Sequence, residues 1–123
     1  MARILVVDDS QLVVRLIERA LRPHGHVVET LDSVILLGSR IREQPPDLLV
    51  LDLHMPALSG LSTGRLVRAH SRRLPILVYS SAPDDELRAA AQELSAQGFL
   101  QKGRDNGLLA ETINSILRPT AQL

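Results

Sequence analysis

Short apolar runs that stop at carboxylates or breakers alternate along this chain with longer stretches whose apolar positions recur every three or four residues. Arg3–Val7 is a β-branched run that ends at Asp8 and Asp9, and it predicts a strand. Ser10 is a suitable helix cap, after which Leu12, Val13, Leu16, Ile17, Ala20 and Leu21 keep the 3.6 period until Pro23 and Gly25 end it. A brief, more polar strand over 26–30 suits a sheet edge. A helix over 33–43 follows, with Val34, Leu37 and Ile41 on one face and Gly38 weakening it. Leu48–Leu51 is a continuous apolar run between Pro45 and Pro46 on one side and Pro56 and Gly60 on the other. It is too short for a helix, and its unbroken apolar character predicts a strand buried on both faces.

Beyond that strand, 61–71 predicts a helix with Leu61, Leu66 and Val67 inward and Arg65, Arg68 and Arg72 along another side. Pro75 introduces a strand over 76–79 that ends in Ser80 and Ser81. Pro83 followed by Asp84, Asp85 and Glu86 opens a helix, because proline suits the first turn and acidic groups complement the positive end of the dipole. That helix is expected to reach Gln97, where Gly98 closes it. A strand over 99–101 then ends in Lys102, and Leu108, Leu109, Ile113, Ile116 and Leu117 form a last amphipathic helix stopped by Pro119. Strands alternating strictly with helices predict an α/β, doubly wound parallel sheet. At this length the flavodoxin-like (βα)5 architecture with strand order 2-1-3-4-5 is expected. Residues 1–119 would form one domain, with 120–123 as a tail.

Composition narrows the function classes. The chain has 123 residues, 45% of them hydrophobic, enough for one core of ordinary size. Lys plus Arg and Asp plus Glu are both 14, so net charge provides no drive toward nucleic acid or an acidic membrane surface. With one Phe, one Tyr and no Trp, stacking on bases is also poorly supplied, and direct nucleic-acid binding is not expected. The absence of cysteine excludes disulfides and thiolate metal sites. Residues 1–7 run straight into Asp8 and Asp9, which is unlike a signal peptide. No apolar run approaches the roughly 20 residues of a membrane helix. A cytoplasmic protein is expected.

The predicted strand ends collect polar groups: Asp8 and Asp9 on the first, Asp52 on the third, Ser80 on the fourth and Lys102 on the fifth. In an open parallel sheet the ligand crevice lies beyond the carboxyl ends of the strands, here between strands one and three. Three carboxylates flanking it would repel one another unless a cation neutralised them. Oxygen ligands, with no His or Cys at ligand spacing, select Mg²⁺ over zinc or copper. Lys102 is a point charge for phosphoryl oxygens and Ser80 a neutral donor. Three carboxylates against Mg²⁺ and Lys102 sum to zero, so an incoming phosphoryl group would meet a neutralised pocket. Singly, each residue is more simply a cap or a solvated charge, but together at one sheet edge they form a site.

Four segments carry a family resemblance: Ile4-Leu5-Val6-Val7-Asp8-Asp9-Ser10; Leu51-Asp52-Leu53-His54-Met55-Pro56 with Gly60; Val78-Tyr79-Ser80-Ser81-Ala82; and Gly98-Phe99-Leu100-Gln101-Lys102. In this order, each at a strand end, they make the chain resemble a response-regulator receiver domain of two-component signalling over essentially its whole length. The resemblance implies that Asp52 is the phosphoacceptor, taking its group from a sensor histidine kinase or a phosphotransfer protein. Mg²⁺ would sit among Asp8, Asp9, Asp52 and the backbone carbonyl of His54. Ser80 and Lys102 would read the phosphoryl oxygens, and Ser80 and Phe99 would be the switch residues. Self-phosphorylation and autodephosphorylation would serve signalling, not enzymatic turnover. The output would appear on the fourth helix, fifth strand and fifth helix, for a downstream protein or a second copy.

The sequence departs from the family at three positions. Gly103 follows the lysine where proline is usual, which is expected to leave a trans bond and a looser loop. Phe99 lacks the hydroxyl of the frequent tyrosine, and Ser59 stands where an acidic residue is common. Two other readings compete with a phosphorylation-dependent switch that has no output domain of its own. One is a phosphorylation-independent interaction module, which the intact Asp8, Asp9, Asp52, Ser80 and Lys102 oppose. The other is a Mg²⁺-dependent phosphatase, which would need a substrate cap and a nucleophile after strand one. The His54 side chain is expected to be exposed, His24, His26 and His70 to be surface groups, and Arg65, Arg68 and Arg72 to form a solvated helix face.

Overall fold

A computed structural model describes residues 2–31, 34–56, 58–104 and 107–118. Its alternating elements are β1 (Arg3–Val7), α1 (Gln11–Leu21), β2 (Val27–Thr30), α2 (Leu37–Glu43), β3 (Leu48–Leu51), α3 (Gly60–His70), β4 (Ile76–Ser80), α4 (Asp84–Leu94), β5 (Gly98–Gln101) and α5 (Leu108–Leu117). The parallel sheet has the order β2-β1-β3-β4-β5, so the flavodoxin-like 2-1-3-4-5 expectation holds. All four residues of β3 are buried, as a strand covered by helices on both faces requires. Alternation along the strands divides the core in two. Leu5, Val7, Leu49, Leu51, Ile76 and Val78 face Leu37, Ile41, Val67, Leu87 and Leu94. Ile4, Val6, Leu48, Val50, Leu77 and Tyr79 face Ile17, Leu21, Leu109 and Ile113. Each such Leu, Ile or Val is worth about 1.5–3 kcal/mol relative to exposure. Among the described residues no helix is long and apolar enough to cross a membrane.

Several expectations are corrected. Leu12 and Leu16 are 66% and 52% exposed, and Leu66 36%. At about 100° per residue the buried arc of α1 centres on Ile17, and Leu12 and Leu16 fall outside it. α3 buries Thr63, Gly64 and Val67 instead of Leu66; a Cβ at Gly64 would lie 2.5 Å from Leu94 Cδ1, so glycine lets α4 pack closely. Gly38 has a similar reason in α2, since a Cβ there would lie 2.8 Å from His70 Nε2. That helix begins with a 3-10 turn at Val34–Leu36, and Ser33 lies outside the described residues. α4 stops at Leu94, earlier than Gln97, and Ser95 closes it in the left-handed region at φ 51°. Gly98 opens β5. Pro119 and the tail lie outside the described residues.

The arginine face is only partly solvated. Arg65 pairs with Glu93, whereas Arg68 donates to the carbonyls of Leu94 (2.6 Å), Ser71 (3.2 Å), Leu74 (2.7 Å) and Ser95 (3.1 Å). Those carbonyls lie at the ends of α3 and α4 and at the entry to β4, where helix ends leave acceptors unpaired. Burial lowers the Arg68 guanidinium from its ordinary value. His26 is half-buried, accepting from Ala2 N at 3.2 Å through Nδ1 and meeting Asn114 Oδ1 at 2.7 Å through Nε2. His24 and His70 are exposed. A two-stranded ribbon pairs His54–Met55 with Leu58–Ser59; strands of two residues leave no periodicity in the sequence.

Candidate functional site

The register of the central strands brings the carboxylates together. Val7 is level with Leu51 across β1 and β3, and Asp52 N still donates to Val7 O at 3.1 Å, so Asp8 and Asp52 leave the sheet side by side. α3 lies directly over this corner. A Cβ at Gly60 would stand 1.9 Å from Asp52 O, so glycine is required for the close approach. Asp52 is only 4% exposed. Its Oδ1 accepts from His54 N at 3.2 Å and its Oδ2 lies 3.3 Å from Lys102 Nζ. Asp8 accepts from Ser10 N at 2.9 Å and from Lys102 Nζ at 2.6 Å. Carboxylate oxygens of Asp8, Asp9 and Asp52 lie within 4.8 Å of one another.

Charge decides what such a cluster can hold. The buried side chains of Asp8 and Asp52 and the exposed Asp9 face one ammonium, and leaving buried negative charge in excess is costly. The donors are hard oxygens gathered at one point, the chemistry of a small divalent cation such as Mg²⁺, and the residues present fit it. A crevice of about 380 Å³ opens beside Asp8 and Asp9 toward Gln11, Arg15 and Thr30.

The other sequence-derived residues divide between this pocket and the surface. β5 delivers Lys102 through the pairing of Ser80 with Gln101 and the bond from Lys102 N to Ser80 O at 2.9 Å. Lys102 Nζ also lies 5.9 Å from the centroid of the Tyr79 ring. Gly103 has φ 81°, and no cis peptide bond occurs among the described residues. The chain turns away from Lys102 in a left-handed conformation closed to proline, whose φ is fixed near −65°. Ser80 is wholly buried and its Oγ accepts from Ala82 N at 3.3 Å. Phe99 is half-buried, packed against the core cluster of Val78, Ala82 and Leu87, with the Arg88 guanidinium 5.3 Å from its ring centroid. The His54 side chain is exposed, as expected, and pairs with Glu86 of α4. Ser59 caps α3, accepting from Ser62 N at 3.3 Å.

Gln101 escaped the sequence reading. Its Nε2 donates to Ala82 O at 2.8 Å, tying β5 to the turn before α4. The available signal was the strand alternation that places it on the same face as Phe99.

Comparisons with known proteins agree with this geometry. The family model described as "Response regulator receiver domain" matches residues 4–114. The response regulator MprA of Mycobacterium ulcerans is 35% identical over 118 residues, covering 96% of this chain and 51% of that protein. The transcriptional regulatory protein PrrA of Mycobacterium tuberculosis is 36% identical over 117 residues, covering 94% and 50%. The chain thus spans about half the length of these curated relatives. Among solved structures, the non-phosphorylated HemR receiver domain from Leptospira biflexa superposes with a TM-score of 0.84 at 22% identity, covering 100% of this chain and 99% of that one, a likeness of fold. With the parallel sheet, the carboxylate corner and the family match in agreement, the chain belongs to the response regulator receiver domain family of two-component systems.

Proposed function

We propose that Asp52 accepts a phosphoryl group from a phosphohistidine of a sensor histidine kinase or phosphotransfer protein, and that residues 1–119 act as one receiver unit. The observation that carries the reading is a buried carboxylate at the end of the central strand, held by His54 N–H and Lys102 with Asp8 and Asp9 beside it. An Asp52 oxygen attacks phosphorus, the P–O bond forms as the P–N bond breaks, and the electron pair leaves with the imidazole. Lys102, already between Asp8 and Asp52, moves its charge toward the phosphoryl oxygens. The Ser80 hydroxyl accepts from Ala82, so its own proton is available to a phosphoryl oxygen. Mg²⁺, held by Asp8, Asp9, Asp52 and the His54 carbonyl, would supply electrophilic help to the same oxygens. The charge change at Asp52 biases packing around Ser80 and Phe99. A downstream protein or a second copy then meets the surface of α4, β5 and α5.

Intact-mass measurement after incubation with a small acyl-phosphate donor tests this. One phosphoryl group should be added with Mg²⁺ and none without it, and Asp52→Asn should stay unmodified while folding normally. Equal modification of Asp52→Asn would show the acceptor to be another residue.

A further inference from the structure

A directed chain of hydrogen bonds leaves the acceptor pocket through Gln101. Ala82 N donates to Ser80 Oγ at 3.3 Å, Gln101 Nε2 donates to Ala82 O at 2.8 Å, and Arg104 Nη1 donates to Gln101 Oε1 at 3.3 Å. The Gln101 amide has its orientation set by these partners, because a carbonyl only accepts and a guanidinium only donates. The chain therefore joins a wholly buried hydroxyl to an exposed arginine.

The geometry points to Gln101 as a positioning residue that holds Ser80 through Ala82 and transmits Ser80 movement to Arg104. This rests on the reading of Asp52 as acceptor. When Ser80 turns toward a phosphoryl group, Ala82 N–H loses its partner or follows it. Ala82 is 2% exposed, so an unpaired N–H there is costly. Ala82 follows, the Gln101 amide is drawn with it, and Arg104 is released at the start of the loop after β5. Phe99 reports on the packing of α4 against β5, whereas this route is polar and ends on a different side chain.

The test compares the unaltered protein with Gln101→Leu, which removes both bonds, and Gln101→Glu, which removes the donor to Ala82. Without phosphorylation, amide exchange at Ala82 should be about fivefold faster in both variants, the effect of losing one neutral hydrogen bond. With phosphorylation, the Arg104 side-chain NMR resonance should shift in the unaltered protein and stay fixed in both variants, while all three gain the phosphoryl mass. Unchanged Ala82 exchange, or an Arg104 shift that survives in Gln101→Leu, overturns the inference and leaves the acceptor reading intact. No mass gain in the unaltered protein overturns both. Should Gln101→Leu fail to fold, Arg104→Gln replaces it and should keep normal Ala82 exchange while accepting phosphate at Asp52. Faster Ala82 exchange in that variant would contradict the order of the chain.

Discussion

Lys102 bridges Asp8 and Asp52 because the residue after it can turn left-handed. Gly103 at φ 81° meets nothing within 4 Å of where a Cβ would stand, so its requirement is conformational and not steric crowding. Gly103→Ala should therefore cost about 1 kcal/mol, the strain of a left-handed L-residue, as measured by urea unfolding. Gly103→Pro should cost more and slow acceptance at Asp52 by moving Lys102. If the proline variant kept full stability and rate, the loop would not be what aims the lysine. The sequence made the pocket residues legible because each lies at or just beyond the carboxyl end of a strand, but it did not show how the lysine is aimed. A dihedral leaves no periodic trace, and neither does a side-chain contact such as Gln101 to Ala82.

Between elements, two glycines set how closely α3 packs, Gly60 at the pocket and Gly64 against α4, and an ion-pair cluster ties the far edge of the sheet. A Cβ at Gly60 would meet Asp52 O at 1.9 Å and Leu53 Cα at 2.5 Å, backbone atoms that cannot yield as a flexible side chain does. Gly60→Ala should push α3 off the end of β3 at a cost of about 3 kcal/mol, whereas Gly64→Ala faces Leu94 methyls that can rotate aside and should cost less. Equal unfolding midpoints for the two would contradict this ranking. At the other edge, Glu29 on β2 takes Arg40 of α2 and Arg3 of β1. The Arg40 hydrogen bond holds the Glu29 carboxyl below its ordinary value against opposing burial, and Arg3 adds to the effect. A depressed native value means that the unfolded chain binds the proton more readily, so the contribution is complete above the ordinary Glu value of about 4.3. It is lost as pH falls through the native value. Glu29→Gln should thus be less stable at pH 7 by about 0.2–1 kcal/mol, a gap that closes in acid. Urea midpoints at both pH values check this, and a gap that widened in acid would reverse the assignment. The elements themselves were legible from period and breakers. Which face of a helix is buried was less so, as Leu12 and Leu16 show, because apolar residues spread over a wider arc than the sheet can cover.

For the molecule as a whole, the pocket couples charge to stability. A cation that binds the native carboxylates and not the unfolded chain should stabilise the protein by about 2.7 kcal/mol at a hundredfold excess over its dissociation constant. Melting temperature should therefore rise with Mg²⁺, and Asp52→Asn should blunt the rise. A melting temperature indifferent to Mg²⁺ in the unaltered protein would mean that Lys102 alone compensates the cluster. The proposed acceptor is Asp52 and no neighbouring residue. Reducing the phosphorylated protein with borohydride converts an aspartyl phosphate to homoserine, and peptide mass spectrometry then locates it. Homoserine at position 52 alone, dependent on Mg²⁺, is the predicted result. Homoserine at position 8 or 9, or phosphate retained on His54 with position 52 unmodified, would contradict the account.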